Sequence, residues 1–204
     1  RVAWVNDPWG RNMYGTPPQG RADYAFWQHI LASLNSESGR CAILFPHGVL
    51  FRNEEFEMRK KMIEADVIEA VLGLAPNLFY NSPMEACIVF CRAKKAPKRK
   101  GKVLFINAVN EVVRMSAQSR LSDANIKRID EPYRNFTAEA GFSEIVSTDK
   151  IASQNFSLSI PLYVKPVSTE NAGTLTDAVS VYGTSSATFH SAVGQLLSIL
   201  KDGV

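Results

Sequence analysis

Three short, nearly continuous apolar runs, Cys41–Phe45, Val67–Leu74 and Ala86–Cys91, fall inside one stretch, Gly39–Arg92. Runs of this length without alternation suit strands buried on both faces. Between the first two lies a charged amphipathic segment whose buried side is Phe56, Met62 and Ile63. Asn53 is placed to cap this helix. Glu54, Glu55 and Glu57 fall in its first turn, and Arg59, Lys60 and Lys61 come later, so the charges complement the helix dipole. Glu55–Arg59 and Glu57–Lys61 are spaced for pairing at i,i+4. Strand, crossover helix and strand predict a parallel pair with a right-handed connection. The link from Leu74 to Ala86 contains Pro76 and Pro83 and is too short for a packed helix. The strand Ala86–Cys91 is therefore expected to run antiparallel to its neighbour, at the end of an otherwise parallel sheet.

Residues 1–21, rich in Gly, Pro, Asn and aromatics, read as irregular. Tyr24, Trp27, Leu31 and Leu34, flanked by Ile30, recur at helical spacing, and Ser36–Gly39 ends that helix. Val103–Ile106 reads as a further strand. Ser122 can cap a helix carrying Ile126, Ile129, Tyr133 and Phe136 on one face, which Pro132 should kink or end early. Phe156–Val164 reads as extended. Lys165–Ser186 is rich in Ser, Thr and Gly and reads as a linker or a poorly ordered segment. A final amphipathic helix follows, with Phe189, Val193, Leu196, Leu197 and Leu200 on one stripe that must dock on this domain or on a partner. The expected organisation is a domain over 1–165, a linker over 166–185 and a helix over 186–204.

At 204 residues and 46% hydrophobic content, the chain can bury one substantial core with a tail to spare. No apolar run approaches the about 18 residues that a membrane span needs. A net charge of +3 permits nucleic-acid contact without arguing for it. Cys41, Cys87 and Cys91 all sit in apolar runs, as small buried thiols of a reducing cytosol do. Cys87 and Cys91 share strand parity, but no histidine cluster accompanies them, and no metal site is expected. The chain opens at Arg1 in mid-sequence style and is expected to be a fragment or a processed form.

Four places can carry chemistry. Asn6–Asp7–Pro8–Trp9 approximates the Asn/Asp-Pro-Pro-aromatic tetrapeptide with which amino-methylating enzymes hold an exocyclic amine and stack a flipped base. It has Asp where the first proline belongs and needs Val2–Val5 to be a strand; the other reading of Asn6, Pro8 and Trp9 is a plain Pro-Trp turn. Phe79, Tyr80 and Asn81 lie in the loop after a strand, where an aromatic can stack on a base or, in the case of Phe79, plug the core. Pro46–His47–Gly48 also follows a strand end, with His47 either polar machinery or a structural turn residue. Lys94, Lys95, Lys98, Arg99 and Lys100 lie in a loop, Arg92–Lys102, with no acid in it, either solvated or aimed at phosphates. No Gly-x-Gly, Gly-Lys-Ser/Thr, nucleophile elbow or zinc-ligand spacing occurs.

PPQGRADYAFWQHIL, GRCAILFPHGVLF, MRKKMIEADVIEAVLGLAPNLFYNSPMEACIVFCR and RKGKVLFINA together strongly resemble the modification subunit of type I restriction–modification systems, over roughly residues 1–165. The most specific parts are Arg59–Asp66, Asn77–Ser82, Gly101–Ala108 and Leu158–Val164. That family comprises S-adenosylmethionine-dependent adenine-N6 DNA methyltransferases. The resemblance implies an α/β fold, the second half of a class I (Rossmann-like) methyltransferase sheet, mixed with one antiparallel strand, plus a C-terminal helical tail. Cys41–Phe45, Val67–Leu74 and Ala86–Cys91 would be its fifth, sixth and seventh strands, and Phe79 or Tyr80 would meet the flipped base. In the family, the methyl-donor glycine motif and the Asn-Pro-Pro-Phe/Tyr motif both precede a helix like the one at Ala22. The chain therefore resembles only the carboxyl-terminal portion of the catalytic domain, and catalysis is not carried onto Asn6. The resemblance implies S-adenosylmethionine in the intact enzyme and no cofactor for this chain alone. It also implies a prokaryotic cytoplasmic setting, with DNA, a specificity subunit and a restriction subunit as partners and no membrane. The alternative is a non-catalytic DNA-binding or subunit-assembly module on the same half-sheet.

Overall fold

The computed structural model describes residues 2–80, 82–115 and 118–167, and residues 182, 185–186, 189–191 and 193 of the tail. A five-stranded sheet is built from β1 (Arg40–Pro46), β2 (Ile68–Leu74), β3 (Ala86–Arg92), β4 (Lys102–Ala108) and, beyond a two-stranded ribbon of β5 (Val113–Arg114) and β6 (Ser119–Arg120), β7 (Ser143–Ser147). The strand order is β1-β3-β2-β4-β7. The helices are α1 (Val2–Val5), α2 (Asp23–Ala32), α3 (Phe56–Glu64), α4 (Asp123–Asn135) and α5 (Thr148–Ser153).

β1 and β2 run in the same direction, as the strand–helix–strand pattern predicts, but they do not pair. β3 lies between them and is antiparallel to both, with Cys41 opposite Cys91 on one side and Val71 opposite Val89 on the other. The chain turns back after Leu74, and the apolar run of β3 fills a central position that an edge-strand sequence would not suit. The sheet is accordingly mostly antiparallel, with β2–β4 its one parallel pair, rather than an otherwise parallel sheet. β1 forms one edge.

All seven residues of β2 are buried. An irregularity between Ile68 and Ala70 changes the strand's phase, so that Ile68 and Val71 share one core while Ala70, Leu72 and Leu74 share the other. On the first face, Tyr24 and Trp27 of α2 and Met58, Met62 and Ile63 of α3 pack against Val71, Val89 and Phe105. Trp27 donates its indole N–H to Cys91 Sγ at 3.3 Å, so the buried ring keeps a partner. Full burial of each such aliphatic side chain contributes about 2 kcal/mol. On the second face, Ile129 of α4 and Phe142 cover Leu104 and Ile106.

Several local expectations change. Asn53 does not cap α3: Asn53–Glu55 is a 3-10 turn, and the helix begins at Phe56. Glu55 pairs with Arg52 at 2.8 Å rather than with Arg59. Arg59 is buried and donates instead to the carbonyls of Phe156 and Arg52. Ser122 caps α4 as expected, in a capping box with Asn125. Pro132 does not end that helix early; it sits in the last turn, and the chain leaves the helix at Phe136 in the left-handed region. Phe156–Val164 is not extended: Phe156 is left-handed, Leu158 bonds Leu50, and Ile160–Leu162 is a 3-10 turn whose Ile160 lies over Gly73. β7 and α5 are additions that the apolar pattern does not announce.

A compact unit spans Arg1–Pro166, and Val167–Val204 forms a second. In the tail, the described residues Tyr182, Ser185, Ser186, Phe189–Ser191 and Val193 are helical. Leu196, Leu197 and Leu200 of the expected stripe, and most of the expected linker, lie outside the described residues. Among the described residues, no helix is long and apolar enough to cross a membrane.

Candidate nucleic-acid interface

The loop after β2 separates its two aromatics. Asn77 takes a left-handed conformation (φ 60°), which an Asn tolerates, and its carbonyl accepts the Ser119 N–H at 2.9 Å. Leu78 and Phe79 then pack on the second core, while the Ser82 N–H bonds the Phe79 carbonyl at 3.1 Å and tightens the turn. Tyr80 projects outward and is 87% exposed. Phe79 thus takes the core-plugging role, and Tyr80 offers an open ring at the carboxyl edge of β2.

Phe79 also lines a groove of about 810 Å³ on the second face of the sheet, with Leu44, Leu74, Ile88, Phe90 and Ile126 among its walls. Leu44, on the edge strand, is 49% exposed. A smaller cleft of about 220 Å³ adjoins the same loop, between Pro76–Asn77 and the β5–β6 ribbon, and Arg114, Gln118 and Ser119 line it. Sequence reasoning misses Arg114, Gln118 and Arg120 because the ribbon strands are two residues each; the only signal is a basic residue in each of two short segments, Val113–Arg114 and Ser119–Arg120.

The basic loop is not one uniform patch. Lys95 is only 5% exposed; its ammonium binds Asp66 and, at 2.8 Å, the Lys102 carbonyl. Burial lowers its pKa, and Asp66 opposes that shift. Arg99 lies 3.3 Å from Glu69, donates to the Arg134 carbonyl and stacks over the Phe136 ring. These two side chains fasten the loop to the body, which removes them from a set free to meet phosphate. Lys94 is exposed and paired with Glu37 at 2.6 Å. Lys98 and Lys100 are exposed, with no ion pair among the described residues.

At the amino terminus, Val2–Val5 is a helical turn and not the strand that the tetrapeptide reading requires. Asp7 accepts the Arg11 N–H at 2.8 Å and also binds its guanidinium, which holds the carboxyl at about 2. Asn6 and Pro8 are exposed, and Trp9 is 76% exposed. The structure therefore supports the turn reading of this segment. His47 Nε2 lies 3.0 Å from the Ala86 carbonyl, a structural role. Burial raises the Cys87 thiol to about 12, and no group of three or more metal-ligating side chains occurs among the described residues.

The matching family model is N-6 DNA Methylase, over residues 3–172. The chain is 36% identical over 159 residues to the type I restriction enzyme MjaVIII methylase subunit of Methanocaldococcus jannaschii, covering 76% of this chain and 27% of that one. It is 33% identical to the HindI methylase subunit of Haemophilus influenzae, covering 83% of this chain and 39% of that one. Its fold matches the crystal structure of a type I restriction–modification methyltransferase subunit from Streptococcus thermophilus with a TM-score of 0.75 and 31% identity, over 81% of this chain and 34% of that chain. The chain thus spans well under half the length of each of these relatives. With β3 inserted between β1 and β2, an aromatic loop at the carboxyl edge of β2, and a family match that runs through nearly all of the compact unit, the chain belongs to the N-6 DNA methylase family.

Proposed function

We propose that this chain is a portion of a type I restriction–modification methylase subunit, and that its part in adenine-N6 methylation of DNA is to hold the target base. The observation that carries this reading is Tyr80, an open aromatic on a loop pinned at Asn77 and Phe79, on a fold shared with a methyltransferase subunit. Stacking of a displaced base on such a ring contributes about 1–3 kcal/mol and tolerates little solvent between the faces. In the intact enzyme, S-adenosylmethionine supplies the methyl group. The residues described here do not fit that donor. β1 runs directly into Pro46 and a 3-10 turn whose His47 is bonded to Ala86, β2 runs into Ala75–Pro76, and neither end has the Gly-x-Gly turn that lets a backbone approach a cofactor. No step of methyl transfer is assigned to this chain.

Isothermal titration with S-adenosylmethionine tests the reading, with no binding expected; saturable micromolar binding would overturn the claim that the chain is a base-holding portion only. The partners proposed for the complete subunit are DNA and the specificity and restriction subunits of a type I complex, in the cytoplasm of a prokaryote. A second reading, a non-catalytic DNA-binding or assembly module, draws on the apolar groove and the exposed Leu44 beside it. Co-elution with a specificity subunit in the absence of DNA binding favours an assembly module over the first reading.

A further inference from the structure

The acidless loop at Arg92–Lys102 stands out in the sequence, yet its Lys95 and Arg99 are turned to structural work. The β5–β6 ribbon is different. Neither Arg114 nor Arg120 has an acidic partner among the described residues. The neighbouring acids are engaged elsewhere, with Glu111 accepting from Asn125 and Asp130 holding Arg134. Val113 pairs with Arg120 and Arg114 with Ser119, which puts the two guanidiniums on opposite faces of the ribbon. Arg114 lines the small polar cleft and Arg120 the larger groove that Phe79 also lines. The ribbon is held at the aromatic loop by the Ser119–Asn77 backbone bond, three residues from Tyr80. Met115 is exposed at the same place, so apolar surface and unpaired positive charge coincide. That combination suits a nucleic-acid strand, whose sugars and phosphates alternate along its length.

We propose that the β5–β6 ribbon is a phosphate clamp for a single DNA strand, with Arg114 and Arg120 contacting successive phosphates on either side of the nucleotide that meets Tyr80, and with Asn77 and Gln118 completing the polar lining of the cleft. This rests on the reading of the aromatic loop as a base holder. It differs from that reading in its residues, its chemistry and its readout: the clamp binds backbone charge, and the loop binds a ring.

The test uses the full chain and DNA single strands of about 12 nucleotides. One strand carries a terminal dye for anisotropy and another a central 2-aminopurine whose fluorescence is quenched by stacking. Arg114→Ala/Arg120→Ala is expected to bind about tenfold more weakly at low salt. The slope of log affinity against log salt should shrink by about 0.7 for each phosphate that is no longer neutralised. Arg114→Lys/Arg120→Lys keeps the charge and should retain the slope, which separates removal of the clamp from failure to fold. Tyr80→Ala should abolish the quench while leaving the salt slope in place. Affinity and slope unchanged in the double alanine variant overturn the clamp, and a quench that persists there leaves the base-holding reading standing. Salt-dependent binding through the arginines without any wild-type quench keeps the ribbon's phosphate contact and overturns both the base holder and the placing of the clamp about Tyr80. A chain that binds neither strand at any salt overturns both.

Discussion

Arg92 and Glu69 meet across the β2–β3 pair, with Arg92 Nε donating to Glu69 Oε1 at 2.8 Å. The same carboxylate accepts the Tyr133 hydroxyl at 3.0 Å on its other oxygen and lies 3.3 Å from Arg99. One buried acid therefore joins the sheet, α4 and the basic loop. Removing it leaves two partly buried guanidiniums short of a counter-charge. Glu69→Ala is expected to cost about 3 kcal/mol, read as a fall in the urea midpoint with little change in slope. A midpoint within experimental scatter of wild type would show that the network carries no net stability.

The basic loop should divide under mutation. Lys95→Ala strands Asp66 beside a buried cavity and is expected to cost about 2 kcal/mol in a thermal or urea melt. Lys98→Ala/Lys100→Ala should stay within about 0.5 kcal/mol of wild type. If these two exposed lysines and Lys94 reach phosphate, their removal instead weakens DNA binding and reduces its salt dependence. Equal destabilisation by both sets of changes would contradict the structural role given to Lys95.

Neighbouring aromatics on one loop should behave oppositely. Phe79→Ala removes a half-buried ring from the second core and is expected to cost about 2 kcal/mol. Tyr80→Ala should leave the melting temperature unchanged, because that ring touches solvent. Parallel melts of the two variants decide the point.

Asp7 gives the amino terminus a defined acid response. Its pKa is lowered from 3.8 to about 2 by the hydrogen bonds and charge of Arg11. A depressed carboxyl binds fewer protons in the folded state than in the unfolded one, so its contribution is full above about pH 4 and is lost as pH falls through about 2. Asp7→Asn should flatten the loss of structure around residues 4–12 over that window, followed by the Trp4 and Trp9 fluorescence. An unchanged profile would show that the pair does not organise the turn.

The strands are legible because each is a short apolar run. Val67–Leu74 is buried on both faces and Ala86–Cys91 nearly so, whereas Cys41–Phe45 is an equally apolar run at the sheet edge, with Ala42 and Leu44 exposed. The cap at Ser122 is legible because its partner Asn125 is three residues away. What escapes are relations between distant residues. Nothing local to Lys95 indicates that Asp66, on the other side of β3, takes its charge, and nothing near Glu69 marks the phase change that turns it toward Tyr133. The order of strands also escapes, since direction follows from connection length while adjacency depends on which strand is most apolar on both sides. At the candidate interface, the exposed character of Tyr80 can be read from its place in the loop, whereas the ribbon is too short to leave a periodic trace.

β1 ends the sheet, and its outer row of N–H and C=O groups has no strand beside it among the described residues. Arg40 and Pro46 stand at its two ends, a charge and a residue that cannot donate to a ladder. Between them, Cys41–Phe45 carries no charge at all. That is the composition of a segment that templates its own stacking. The expected outcome is that, handled alone, the protein is limited in concentration by its border rather than by its core. Light scattering should rise with protein concentration at temperatures where the fold is intact, and a lysine introduced as Ala42→Lys should suppress the rise without shifting the melt.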